Sequence, residues 1–336
     1  MMLLRLIVRC LVFLVVVLLG LSLITFGLSH VVPADPARLY AGPRASGATV
    51  QQIRHQFGFD QPIWTQYVTY LAGIVHGDFG FSLTSHRPVG ADIHDYLPAT
   101  IELTLAAIVI ILLVGIPLGV VAAVWHGSII DHISRVIVIT GASLPAFWLG
   151  LMAQLFLFDK LNLFPAGGRL AASAAAPPTL TGLYTLDSLL TGKGGLFLQS
   201  LWYLALPAAV LAYGSLSVLT RMVRASMLEV MGQDFVRTAR SKGLRQRAVI
   251  MQHALRNALL PATTVMGLQI GFLLGGALLV EDVFAWPGIG RYATLATLNL
   301  DYNAIMAVTL IAALIYVLVN LLVDILYLVL DPRVTY

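Results

Sequence analysis

The chain of 336 residues carries little charge. Asp, Glu, Lys and Arg make up 11% of it, whereas a soluble globular domain has about a quarter. Apolar residues make up 59%, and the mean hydropathy is +0.88. The single cysteine, Cys10, lies in an apolar run and has no partner for an intrachain disulfide. This composition excludes a soluble globular domain and predicts a polytopic membrane protein.

The chain also lacks motifs for enzymatic chemistry. Gly192-Lys193 invites comparison with a P-loop, but Gly194 stands where Ser or Thr is needed. The run from Gly288 to Ala293 has the spacing of a dinucleotide fingerprint but follows an apolar run rather than a strand. No His-Glu-x-x-His pair occurs, so we expect no catalytic residue and no cofactor in this chain. Three histidines near acidic residues match no metal motif, and no metal site is predicted: His76, His86 and His94.

Six apolar runs are long enough to cross a bilayer as helices. They cover residues 9–29, 100–125, 135–158, 201–223, 261–281 and 304–330. Strands of a membrane barrel would be shorter and would alternate in polarity. The first run resembles a signal peptide because it follows Arg5 and Arg9, but it is longer than a signal core and no A-x-A site follows closely. We therefore predict an all-α integral membrane protein with six transmembrane helices, the first of which is retained.

Basic residues are distributed unevenly between the predicted loops. With the N-terminus in the cytoplasm, the inner loops hold 12 of the 20 basic residues and only four acids. This bias predicts that both termini are cytoplasmic. It predicts a first helix at 1–29, an outer segment at 30–99, and a five-helix core at 100–336 with a cytoplasmic loop at 224–260. The excess of basic residues in the inner loops also accounts for the pI of about 9.3, so the pI does not indicate binding to nucleic acid. The same residues favour contact with anionic membrane lipid.

The inner loop between residues 226 and 259 combines apolar residues at helical spacing with basic residues on the other faces. Gly243 lies near its centre and permits a turn that other residues resist. A short helix held at such a bend can present a rigid surface to a partner's groove. A loop that merely sets topology is the alternative, but that role needs only a few basic residues and no broken amphipathic helix.

This segment resembles permease subunits of binding-protein-dependent ABC importers, in the branch that transports dipeptides, oligopeptides and nickel. The branch pattern is matched by Arg237-Thr-Ala-Arg-Ser-Lys-Gly243-Leu and then by His253-Ala-Leu-Arg-Asn257 before Pro261. The general motif E-A-A-x-x-x-G-x9-I-x-L-P is only partly kept, since Arg237 replaces its glutamate and Arg256 its proline. Similar stretches extend over nearly the whole chain, among them 57–62, 77–82, 164–168 and 284–290.

The resemblance implies a type I ABC importer fold in the bacterial inner membrane. It implies a paralogous second permease, two ATP-binding subunits that hold ATP and Mg²⁺, and an extracytoplasmic solute-binding protein. The implied cargo is a di- or oligopeptide, with nickel, glutathione or another small solute as alternatives. Residues implied to couple to the ATPase are Ala239, Arg240, Ser241, Lys242, Gly243, Leu244 and Arg245.

Candidates for the translocation pathway lie in the predicted spans: Phe147, Trp148, Gln269, Asn320 and Asp324. Asp324 is the one acid assigned to the interior of a span. Intramembrane acids are costly and are functional candidates by default, although a position near the inner interface would give Asp324 a structural role. A secondary transporter with Asp324 as a proton relay is therefore the alternative function, and an intramembrane enzyme ranks last.

Overall fold

The computed structural model describes residues 2–31, 36–42 and 44–330, and most of them are helical. The helices are α1 (Met2–Val31), α2 (Pro36–Ala41), α3 (Gly47–Gln56), α4 (Ile63–Val75), α5 (Val89–Ile110), α6 (Ile116–Val124), α7 (Ile129–Ser143), α8 (Ala146–Ala153), α9 (Tyr184–Leu190), α10 (Gly194–Met231), α11 (Asp234–Ser241), α12 (Gln246–Ala248), α13 (Leu255–Val283), α14 (Ile289–Leu298) and α15 (Tyr302–Leu330). Three π-helical turns continue α5, α8 and α12: Ile111–Gly115, Gln154–Lys160 and Val249–Ala254. The extended pairing in the described ranges is a single antiparallel bridge between Phe81 and Pro88.

Four continuous helical stretches are long and apolar enough to span a membrane: 7–29, 89–124, 194–231 and 302–323. Two further stretches are bent, one by 111° between α7 and α8 and one by 48° within 246–283. Counting each bent pair as one span gives the six that the sequence predicts. The 111° bend falls at Leu144-Pro145, where proline lacks the N–H that would continue a helix. The predicted all-α membrane fold is confirmed.

The chain forms two compact units, and their boundaries fall inside α5, α14 and α15. The first unit comprises residues 3–97 and 291–317. Within it, Phe26 of α1 packs on Tyr67 and Tyr70 of α4, with ring centroids 5.2 and 5.7 Å apart. Asp301 is buried and accepts hydrogen bonds from the Ser82 hydroxyl and the Thr84 N–H at 2.5 and 2.9 Å. The predicted division at 29/30 and 99/100 concerns membrane topology and stays a prediction.

The second unit comprises residues 98–290 together with 318–336, described as far as 330. Its core forms around α10, which packs against α6, α7, α8 and α13. Gly119 on α6 allows a close approach to α10, because an added Cβ would lie 2.8 Å from the Thr220 carbonyl oxygen. Buried core residues continue from α10 into α11, namely Met227, Val230, Val236 and Ala239. Helix α11 is thereby attached to the membrane bundle through apolar contacts.

One expectation about charge in the spans is wrong. Asp324 is not the only acid there, since Glu102 lies in α5, Asp131 in α7 and Glu281 in α13, and all three are buried. Each accepts hydrogen bonds from charged or polar partners that come from distant parts of the sequence. The backbone of Asp324 lies in α15, but its side chain lies outside the described residues.

Candidate functional site

The predicted coupling residues lie on and after α11, whose two faces differ sharply. Val236 and Ala239 are buried against the core of the second unit. Arg237 is 78% exposed and pairs at 3.4 Å with Asp234, which is 92% exposed. Of the predicted residues, Ala239 faces the bundle, and the other six are exposed: Arg240, Ser241, Lys242, Gly243, Leu244 and Arg245. This coupling segment, α11 together with residues 242–245, therefore presents a basic surface with two exposed apolar side chains, Phe235 and Leu244.

The bend predicted at Gly243 is present. The Gly243 N–H donates to the Arg240 carbonyl at 2.9 Å, and its φ of +75° lies in the left-handed region that L-residues avoid. Helix α12 then begins after Arg245, whose carbonyl accepts from the N–H groups of Ala248 and Val249. An added Cβ at Gly243 would meet no atom within 4 Å. Glycine is needed here for its backbone conformation and not for space within this chain.

A groove of about 310 Å³ lies in the second unit beside the bend between α7 and α8. Gly141 and Leu144 line it from the α7 side, Tyr213 and Gly214 from α10, and Gln269 from α13. The Tyr213 hydroxyl is fixed by Thr140 at 2.6 Å and by the Ile137 carbonyl at 3.1 Å. The lining contains no charged side chain, and Gln269 supplies an amide that can both donate and accept. The groove suits a neutral polar group such as a peptide bond.

Three other predicted pathway residues with described side chains are not brought to this groove: Phe147, Trp148 and Asn320. Phe147 and Trp148 begin α8 and are 44% and 42% exposed, so they lie on an outer face of this chain. Asn320 is half-buried in α15. Among the predicted pathway residues whose side chains are described, Gln269 alone lines the groove.

An ion pair around a buried carboxylate, which the sequence did not predict, lies near the Met231 end of α10. Asp131 on α7 is fully buried and pairs with Arg224 on α10 and with Arg135 one turn along its own helix. The sequence signal was weak, because 93 residues separate Asp131 from Arg224.

A second buried ion pair fixes the long segment between α8 and α10. Arg169 and Glu102 are 6% and 4% exposed, and two guanidinium nitrogens reach one carboxylate oxygen at 2.5 and 3.1 Å. The other carboxylate oxygen accepts from the N–H and hydroxyl of Thr185 at 2.7 Å each. The guanidinium also lies over the ring of Tyr184, 3.5 Å from its centroid, which adds a cation–π contact.

Asp187 orders the turn before α9 in the same segment. Its carboxylate accepts from the N–H groups of residues 180, 181 and 182 and from the Thr181 hydroxyl. Burial raises the pKa of this carboxyl, but these hydrogen bonds outweigh burial and hold its pKa below the ordinary value.

A third buried acid, Glu281, holds the turn between α13 and α14. It accepts from the Thr100 hydroxyl at 2.6 Å and from the Gly290 N–H at 2.7 Å. An added Cβ at Gly288 would collide with its carboxylate, which explains the glycine there. Trp286 is buried in the same turn and donates from its indole nitrogen to the Ala99 carbonyl at 2.8 Å. The turn is therefore short, and helix α14 begins at Ile289.

The first unit contains a separate cavity of about 280 Å³, whose lining includes seven aromatic side chains, among them Phe26, Tyr40, Phe57 and Tyr302. The Tyr40 hydroxyl donates to the Phe81 carbonyl at 3.0 Å, and burial, with a contribution from Asp301, raises its pKa to about 12. Among the described residues, no three His, Cys, Asp or Glu side chains come close enough together to hold a metal ion.

Membrane-spanning helices, an exposed basic helix anchored to their core, and an uncharged groove together define a membrane transport subunit. Comparison with known families agrees. Residues 115–336 match the family described as the inner membrane component of binding-protein-dependent transport systems, and residues 2–104 match its N-terminal region. The chain belongs to this family, and it is a multi-pass membrane protein whose transport system includes a solute-binding protein.

Similar proteins extend over nearly the whole chain. A probable D,D-dipeptide transport system permease, DdpB of Escherichia coli K12, is 46% identical over 321 residues, which cover 96% of this chain and 94% of that protein. The dipeptide transport system permease DppB of the same strain is 43% identical, with 94% of each chain covered. The glutathione transport system permease GsiC of Escherichia coli O1:K1 is 36% identical, again with 94% of each covered.

Proposed function

We propose that this chain is the permease subunit of an ATP-driven importer that moves di- or oligopeptides into the cytoplasm. Peptide cargo is supported by the relatives named for dipeptide transport, which are more similar in sequence than the glutathione permease. The uncharged groove offers the Gln269 amide, which can donate to and accept from a neutral peptide group.

The coupling segment carries this proposal, because it explains how a chain without a nucleotide motif can use ATP. Six of its seven predicted residues are exposed, while Val236 and Ala239 anchor it to the bundle. A partner ATPase that grips the exposed face would therefore move the core as well. Two ATPase subunits would bind ATP and Mg²⁺, and a paralogous permease would complete the pathway. The excess of basic residues in the same loops favours a cytoplasmic location for this segment and for both termini.

Import then follows from the preference of each ligand for one conformation. ATP binding by the partner subunits would favour one packing of the bundles, and the loaded binding protein would favour the packing that opens outward. Transport requires both preferences, because a ligand that binds two states equally shifts neither.

Uptake into proteoliposomes tests the proposal. The chain is reconstituted with its proposed second permease and ATPase subunits, and the binding protein is added outside with a labelled dipeptide. Uptake should require ATP and the binding protein, and a non-hydrolysable ATP analogue should not support it. Glutathione and a nickel chelate serve as competing cargoes.

The same assay separates the alternative function. A protonophore added with ATP present should leave uptake unchanged. Collapse of uptake under that condition would favour a proton relay through Asp324 and would reject the ATP-driven mechanism. Uptake of glutathione or nickel in place of the dipeptide would retain the mechanism and correct the cargo.

A further inference from the structure

The ion pair between α7 and α10 involves hydrogen-bond donors from three residues around one buried carboxylate, that of Asp131. Arg224 donates from Nε and Nη2 to the two carboxylate oxygens of Asp131 at 2.7 and 2.9 Å. Arg135 donates to the same carboxylate from Nη2 at 2.7 Å, and the Gly127 N–H adds a bond at 3.0 Å. One carboxylate therefore joins α10, α7 and the turn that precedes α7.

This arrangement fixes register as well as proximity. A guanidinium that binds both oxygens of a carboxylate does so in one plane and one orientation. A pair of apolar side chains would hold two helices together at least as well, because burying charge is costly. Stability alone therefore does not account for the charged side chains of Asp131 and Arg224. A need to hold α7 and α10 in one relative position does account for them.

The pair lies where movement of the coupling segment enters the bundle. Arg224 precedes the end of α10 at Met231 by about two turns, and α11 begins three residues after that end. Neighbouring Val223 and Met227 are fully buried. Val223 also packs against Gly119 of α6, where an added Cβ would lie 2.8 Å from the Val223 Cβ. This end of α10 is therefore tightly held.

The same two helices contact each other along the groove and both line it. Gly141 and Ala142 belong to α7, Tyr213 and Gly214 belong to α10, and all four line the groove. Movement of α11 reaches α10 through the chain, but it reaches α7 through side-chain contacts, of which Asp131–Arg224 is the most directional. We propose that Asp131 and Arg224 are positioning residues that make α7 and α10 move together when the coupling segment is displaced. This inference rests on the proposed function, because it assigns the pair a part in ATP-driven transport.

The variant Arg224→Lys tests the inference with little disturbance, since lysine keeps the charge but loses the two-pronged geometry. Arg221→Lys is the matched control, as Arg221 lies one turn earlier on α10 and its side chain is exposed. Both variants are studied in the complete transporter in proteoliposomes. The yield of assembled complex, ATP hydrolysis with binding protein present, and solute uptake are measured.

We expect Arg224→Lys to assemble and to hydrolyse ATP like the wild type, with solute imported per ATP reduced roughly 2- to 30-fold, the range seen for residues that carry coupling. Arg221→Lys should keep the wild-type ratio. Asp131→Asn should lower the ratio as well, and the double variant should be no worse than the worse single variant, because both changes remove one contact.

Three results would overturn the inference. They are an unchanged ratio in Arg224→Lys, a parallel loss of uptake and hydrolysis, and a failure of this variant to assemble, which would assign the pair to folding. A wild-type complex without ATP-driven uptake would instead reject the proposed function, and it would be recognised before any variant is measured.

Discussion

Replacing Gly243 by valine should weaken docking of the ATPase while the chain still inserts and folds. The added side chain meets no atom of this protein within 4 Å, so no clash is expected. The cost comes from the φ of +75°, which an L-residue adopts at a cost of about 1–2 kcal/mol. The segment can relieve that strain by leaving the bend, because residues 240–247 are exposed and make few contacts that would hold it.

The size of the effect follows from this strain. A cost of that size lowers the ratio of bent to unbent conformations about 5- to 30-fold. The Kd of the ATPase subunit for the solubilised permease should rise by up to the same factor, and uptake should fall with it. Binding is measured by titration of purified ATPase onto immobilised permease, and the thermal midpoint of the permease reports its folding.

Two controls separate backbone strain from other effects. Gly243→Asn should bind nearly like the wild type, because asparagine tolerates the left-handed region. Gly192→Val places the same strain, at a φ of +68° and also in open space, in the turn before α10. It should leave ATPase binding unchanged. Wild-type affinity in Gly243→Val would refute the reasoning, and equal losses in the Val and Asn variants would show that the partner excludes any side chain.

Three further predictions concern the second unit. Gln269→Leu should reduce uptake about 2- to 10-fold with ATP hydrolysis retained, the worth of one hydrogen bond to the cargo; an unchanged uptake would remove Gln269 from the pathway. Gly141→Ala should lower stability by about 1–3 kcal/mol in thermal unfolding, because its Cβ would overlap the Ser217 hydroxyl, and adding Ser217→Ala should restore part of the loss. Glu102→Gln should lower the free energy of unfolding by about 3–5 kcal/mol, because it leaves Arg169 buried without its counter-charge. A double variant with leucine at both positions should unfold at a higher temperature than Glu102→Gln, and an equal or lower thermal midpoint would contradict this reasoning.

The sequence predicts those features that depend on local pattern. Long apolar runs identify the spans because crossing a bilayer requires them. The bend at Gly243 is predictable because amphipathic helical spacing is interrupted by the residue that most readily adopts a positive φ. Exposure of the basic residues around it follows from the same pattern.

Contacts between distant segments escape such reasoning. Glu102 and Arg169 are 67 residues apart, and no local signal pairs them. Sequence position alone also placed Glu102 and Glu281 among the acids of the outer loops, whereas the structure buries them within α5 and α13. The groove is likewise unpredictable, because it depends on a bend of 111° between α7 and α8, and a proline predicts a break but not its angle.

Helix α10 has 38 residues and is therefore roughly 57 Å long, nearly twice the hydrocarbon thickness of a bilayer. The surplus length allows the Met231 end of α10 to extend beyond the lipid headgroups. The proposed ATPase subunit would then bind the attached coupling segment without contacting lipid. A membrane that is a few ångströms thinner or thicker would then change how much of α10 lies within the bilayer. It would not change whether the ATPase subunit can reach the coupling segment. Transport by this protein should accordingly tolerate lipids of different acyl length.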